Sequence, residues 1–191
     1  MSFIEIMEIV TLATGLLYLF LEIVQSPWMW VVGIATGIPA AISFGVQHVW
    51  ASMGLNIYYI LVSVLGLINW LKAAKHTSEG SYSLYRLKPG VIFASAAFVA
   101  IGTPLLVLLL RAAGGQETVM DALVLLLSIV GTWWLTRLYL EQWFIWIVAD
   151  AISAILCLSV GMYWLAALYA IYSIWALYGW YLWKKKGEYI G

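Results

Sequence analysis

Charge and reactive side chains are scarce in this sequence, and each scarcity closes a class of function. Nine Lys or Arg balance nine Asp or Glu among 191 residues, so no basic surface argues for nucleic acid. A single cysteine, Cys157, excludes an internal disulfide and argues against a Cys-based metal site. The two histidines, His48 and His76, fall on opposite sides of the membrane in the topology derived below and cannot converge on a haem or a metal. No glycine-rich loop ends in Lys followed by Ser or Thr, so ATP hydrolysis is not built in. No nucleophile has a partnered base, which argues against an enzyme. The final apolar stretch meets lysine only at Lys184, at its end, where a retinal Schiff base needs one mid-helix. No cofactor or metal is expected.

What fills the chain instead is apolar and aromatic. Hydrophobic residues make up 65% and aromatic residues 16% of it, and mean hydropathy is +0.99, a balance that belongs to a membrane protein. Seven stretches of spanning length follow one another, near 4–24, 28–47, 50–72, 91–112, 119–138, 143–160 and 162–184. The expected fold is therefore all-α and membrane-integral. The N-terminal stretch reads as the first span and not as a signal peptide, because Glu5 and Glu8 stand where basic residues are needed. The long polar connection is 75–90. Lys72, Lys75, Arg86, Lys88, Arg137 and Lys184 to Lys186 fall on one side and Arg111 on the other. Positive loops stay cytoplasmic, which predicts an outside N-terminus and a cytoplasmic C-terminus.

Residues 30–72 align with 143–185 at a constant separation of 113 without a gap. Trp30 falls on Trp143, Tyr59 on Tyr172, Gly66 on Gly179 and Trp70 on Trp183. Three spans in tandem would invert a second copy, whereas an extra span between them restores its direction. The expected plan is thus two parallel three-helix bundles joined by a linker helix, 3+1+3: residues 1–72, a loop and linker helix over 73–118, and residues 119–191. Parallel repeats of this kind are a transporter plan, with the solute near the midplane. Shared lipid-facing composition is the competing explanation of the match.

Polar residues in the spans form stripes. Asn56, Tyr59, Ser63 and Gly66 share one face of the third span, and their repeat partners include Tyr169, Tyr172 and Gly179. Trp146, Asp150, Ser153 and Cys157 share a face of the sixth. Asp150 lies about 10 Å into its span at roughly 1.5 Å per residue. An ionised carboxylate there costs about 3 kcal/mol or more unless it meets water, a donor or a cation. Aromatic faces beside it suit a flat cationic ring. Gluing helices together is the competing role for Asp150, Asn56 and Tyr59. Gly33, Gly37, Gly45, Gly66 and Gly179 would allow close helix approach. Glu22, Arg137 and Glu141 lie near the cytoplasmic boundary and are assigned no solute contact.

The lines "WASMGLNIYYILVSVLGLINWLK" and "LTRLYLEQWFIWIVADAISAILCLSVGMYWLAALYAIYSIWALYGWYLW" resemble the PnuC family of vitamin-precursor transporters. The family is similar in architecture to full-length SWEET transporters, which agrees with the 3+1+3 plan. The resemblance implies uptake of a water-soluble B vitamin across a bacterial inner membrane by alternating-access facilitated diffusion, with a cytoplasmic vitamin kinase trapping the product. "NIYY" and "VADAIS" look more like the thiamine branch, so thiamine is expected first, with nicotinamide riboside as the alternative. Riboflavin, being neutral, makes less use of Asp150. The residues expected to bind the solute are Asn56, Tyr59, Trp146, Asp150, Ser153, Tyr169 and Tyr172. The lipid bilayer is the other expected partner, and the sequence leaves a homo-oligomer open.

Overall fold

A computed structural model describes residues 14–46, 50–112, 119–159 and 161–190. Its helices are α1 (Thr14–Ile23), α2 (Trp28–Val46), α3 (Trp50–Ala74), α4 (Pro89–Ala112), α5 (Val119–Thr136), α6 (Gln142–Ser159) and α7 (Tyr163–Lys186). Long stretches within α3 to α7 are apolar enough to cross a membrane. These bounds fall close to those expected from hydropathy; the start of the first span and His48 lie outside the described residues. In hydrocarbon every backbone polar group must bond within the chain, which leaves helices as the form these runs can take. Pro39 and Pro104 interrupt that pattern in α2 and α4. Large apolar side chains point outward along α4, where Phe93, Ile101 and Leu108 are 75%, 69% and 67% exposed.

The chain divides into two compact units, the first ending at Thr77 and the second starting at Ser78. In the first, α1 reaches α2 through a turn in which Gln25 adopts φ 51°. Gln25 N donates to Glu22 O (3.0 Å) and Ser26 N to Leu21 O (2.8 Å), the two bonds of a Schellman ending. In the second unit Leu138, 113 positions on, adopts φ 56°. Leu138 N donates to Leu135 O (3.1 Å) and Tyr139 N to Trp134 O (3.2 Å), the same bonds at the same separation. Both positions would suit glycine, yet carry Gln and Leu.

Packing repeats as well. In the first unit Trp30 on α2 lies edge-on to Trp70 on α3, with centroids 5.4 Å apart at 84°. In the second, Trp143 on α6 meets Trp183 on α7 at 5.4 Å and 88°. Trp30 rests on Gly66 and Trp143 on Gly179, so that an added Cβ would stand 2.5 Å from an indole carbon in either unit. Both indoles are fully buried. The residues that carry the sequence repeat are therefore those that seat one helix on the next.

The 75–90 connection is more structured than expected. Its β1 (Tyr82–Leu84) pairs in parallel with β2 (Gly187–Tyr189), which follows α7 directly. Ile190 N donates to Leu84 O (3.0 Å), Ser78 N to a Glu188 carboxylate oxygen (3.1 Å), and Tyr85 N to Leu138 O (3.2 Å). Leu84 is buried beneath this strap. Around it Arg86 lies 5.2 Å from the Tyr189 ring and Lys186 5.7 Å from that of Tyr82. Basic residues from two segments thus gather at one end of the second unit, while Arg111 ends α4.

Overpacking a helix seat costs about 1–3 kcal/mol. Gly66→Ala and Gly179→Ala are each expected to lower the thermal unfolding temperature of the detergent-purified protein. Gly54→Ala, whose new methyl meets nothing within 4 Å, is expected to leave it unchanged or raise it.

Candidate solute-binding site

α6 runs from the strapped end of the second unit, and its polar residues recur every three or four positions, so one face carries Trp146, Asp150, Ser153 and Cys157. Gln142 extends that face by one more turn. Trp146 packs beside Gly131 of α5, where an added Cβ would be 3.2 Å from the indole. Its Nε1 is buried with no hydrogen-bond partner among the described residues. Asp150 is half-buried.

α7 supplies the facing aromatics. Tyr169 and Tyr172 lie edge to face, with centroids 6.3 Å apart at 86°. Both interact electrostatically with Asp150, and Tyr169 also with Cys157. Ser173 Oγ donates across the helix pair to Ile147 O at 3.0 Å, joining α7 to α6 one turn before Asp150. No lysine or arginine pairs with Asp150 among the described residues. Ser153 is buried, and its hydroxyl donates to Ala149 O (2.8 Å) in its own helix, so its donor is already engaged.

The first unit carries the other two expected residues on α3. Asn56 and Tyr59 are half-buried, and Tyr59 lies 5.5 Å from Tyr58 by ring centroid. Tyr59 and Glu22 both act electrostatically on Tyr18 of α1. Glu22, near the expected cytoplasmic boundary, is only 5% exposed. Its position four residues after Tyr18 on one helix is the signal that marks this cluster.

Sequence reasoning passed over Gln142. It is fully buried, and neither its amide oxygen nor its nitrogen has a partner among the described residues. Since buried amides are ordinarily bonded, its register with Trp146 and Asp150 was the available clue.

In chemical terms the second unit offers a carboxylate, an indole and two phenol rings. Such a set has the charge and ring faces that suit a flat organic cation, and no nucleophile is paired with a base among the described residues. The sequence profile of the family described as "Nicotinamide mononucleotide transporter" matches residues 5–185. The crystal structure of the vitamin B3 transporter PnuC is similar in fold, with a TM-score of 0.63 at 19% identity, over 92% of this chain and 80% of that one.

Asp150→Asn keeps the shape and removes the charge. It is expected to weaken binding of a flat cationic ring by about tenfold or more, the order of one charge-assisted contact. A neutral analogue of the same outline is expected to bind with little change; calorimetric titration of the purified protein compares the two.

Proposed function

Because the chain belongs to the nicotinamide mononucleotide transporter family, we propose that it is a multi-pass membrane transporter of a nicotinamide-type vitamin precursor, with nicotinamide riboside as its solute. The observation that carries this reading is the grouping of Asp150 with Tyr169 and Tyr172, without a basic partner among the described residues. A pyridinium nucleoside presents one positive charge on a flat ring, which suits a carboxylate beside aromatic faces. A 5′-phosphate would add negative charge near Asp150, where no cation pairs among the described residues, so the nucleoside is favoured over the nucleotide. The first expectation, thiamine, finds no support in the comparisons, whose descriptions name nicotinamide mononucleotide and vitamin B3; the nicotinamide alternative fits them better.

In this reading Trp146 stacks on the ring, Asp150 balances its charge, and the two tyrosines close the sides. Asn56 and Tyr59 are assigned the corresponding role in the first repeat. The recurrence of turn and helix seat in both units supports the 3+1+3 plan, with α4 as linker. Transport exposes the Asp150 face to one side of the membrane and then to the other. Without an ATP-binding loop it runs down the solute gradient, and a cytoplasmic kinase that phosphorylates the nucleoside would keep the gradient inward. The excess of basic residues at the strapped end supports placing that end in the cytoplasm of a bacterial inner membrane.

The deciding experiment is equilibrium binding by the purified protein of nicotinamide riboside, its mononucleotide, thiamine and riboflavin in parallel. Nicotinamide riboside is expected to bind most tightly, with riboflavin and the mononucleotide weaker by about tenfold or more. Preferential binding of thiamine would overturn the choice of solute, and binding of none would overturn the transport reading.

A further inference from the structure

The two repeats differ at the candidate site, and the difference is one of size. Gly33 and Gly37 on α2 occupy the positions that Trp146 and Asp150 occupy on α6. A Cβ on Gly37 would stand 2.9 Å from Cγ1 of Ile60 on α3, and a Cβ on Gly33 would stand 2.9 Å from Ser63 Oγ. By the same separation of 113, Ile60 and Ser63 correspond to Ser173 and Ala176 on α7. In each pair bulk has moved from one helix to the other: Gly37 with Ile60 becomes Asp150 with Ser173, and Gly33 with Ser63 becomes Trp146 with Ala176. The Trp30–Gly66 and Trp143–Gly179 seats hold both helix pairs in the same register, so these exchanges concern equivalent space.

We propose that Ser173 is a positioning residue for Asp150. Being small where the first repeat has isoleucine, it keeps open the place the carboxylate occupies and confines cation recognition to the second repeat. The inference rests on the reading of Asp150 as the counter-charge of the solute. Isoleucine at 173 would compete for the volume of the Asp150 side chain and forfeit the bond to Ile147 O. The carboxylate would then be displaced from Tyr169 and Tyr172, or the helices pushed apart. Glycine at 150 would relieve that conflict, as Gly37 does beneath Ile60.

The test uses the purified full-length protein with nicotinamide riboside and its neutral dihydro form as probes, and thermal unfolding beside equilibrium binding. Ser173→Ile is expected to weaken binding of the cation by about tenfold or more and to lower the unfolding temperature, while Ser173→Ala, which keeps the space, stays within about threefold of the parent. The double variant Asp150→Gly with Ser173→Ile is expected to recover the unfolding temperature without recovering the cation. That combination separates a place held for the acid from general damage to packing. Unchanged cation binding in Ser173→Ile, or a double variant no more stable than that single one, overturns the positioning role. If Ser173→Ile keeps the cation while Asp150→Asn loses it, only the role of Ser173 falls. If Asp150→Asn binds both probes as the parent does, the counter-charge falls and the inference with it.

Discussion

An indole seated on a glycine is the contact on which this structure depends. Between helices in hydrocarbon there is no water to expel, so association rests on close packing and on whatever polar bonds the helices make. Trp143 on Gly179 supplies that closeness for α6 and α7, and Trp30 on Gly66 for α2 and α3. The seat also fixes which residues meet further along. Asp150 lies seven residues after Trp143, and Tyr172 seven before Gly179. Seven residues are nearly two full turns, about 10 Å of rise, so each helix presents almost the same face again. Since α6 and α7 run in opposite senses through a short turn, the acid and the phenol arrive at one level. The interaction of Asp150 with Tyr172 thus follows from a contact two turns away.

The turn that leads into each seat is held by backbone bonds rather than by sequence. Residues 20–29 and 133–142 share no identical position, yet their helix endings use the same two bonds and the same left-handed residue. Leu138 in that conformation is costly by the ordinary preference for glycine, and its burial is what offsets the cost. The same backbone turn is thus built from different side chains, and the units also differ where the candidate site lies. One repeat uses glycine against isoleucine as filler; the other uses the same place for a charge.

Most of the helical frame was legible in the sequence, because spanning length and hydropathy are local properties. The repeat was legible only in part. Trp30, Gly66 and Trp70 stood out against a background of interchangeable aliphatics because shape, not hydrophobicity, is what their seat requires. The β1–β2 ladder was invisible, since three-residue strands joined across about a hundred positions leave no periodic trace. The burial of Glu22 beside Tyr18 was hidden for a related reason: hydropathy places a residue along the membrane normal and says nothing of which neighbour covers it. Of the proposed site, the α6 stripe could be read from its spacing and the α7 tyrosines from their repeat partners. The engagement of the Ser153 hydroxyl, the burial of the Gln142 amide and the bond from Ser173 could not, because each depends on a neighbouring turn or helix. The choice between two aromatic cations was likewise beyond charge arguments that suit both.

The strap has a bearing on how this chain can be handled. Residues 187–190 cover Leu84 and occupy the bonding edge of β1, so they serve as a clasp. Clipping them would bare an apolar side chain and an open strand edge together at the basic end of the second unit, an invitation for neighbouring molecules to pair there.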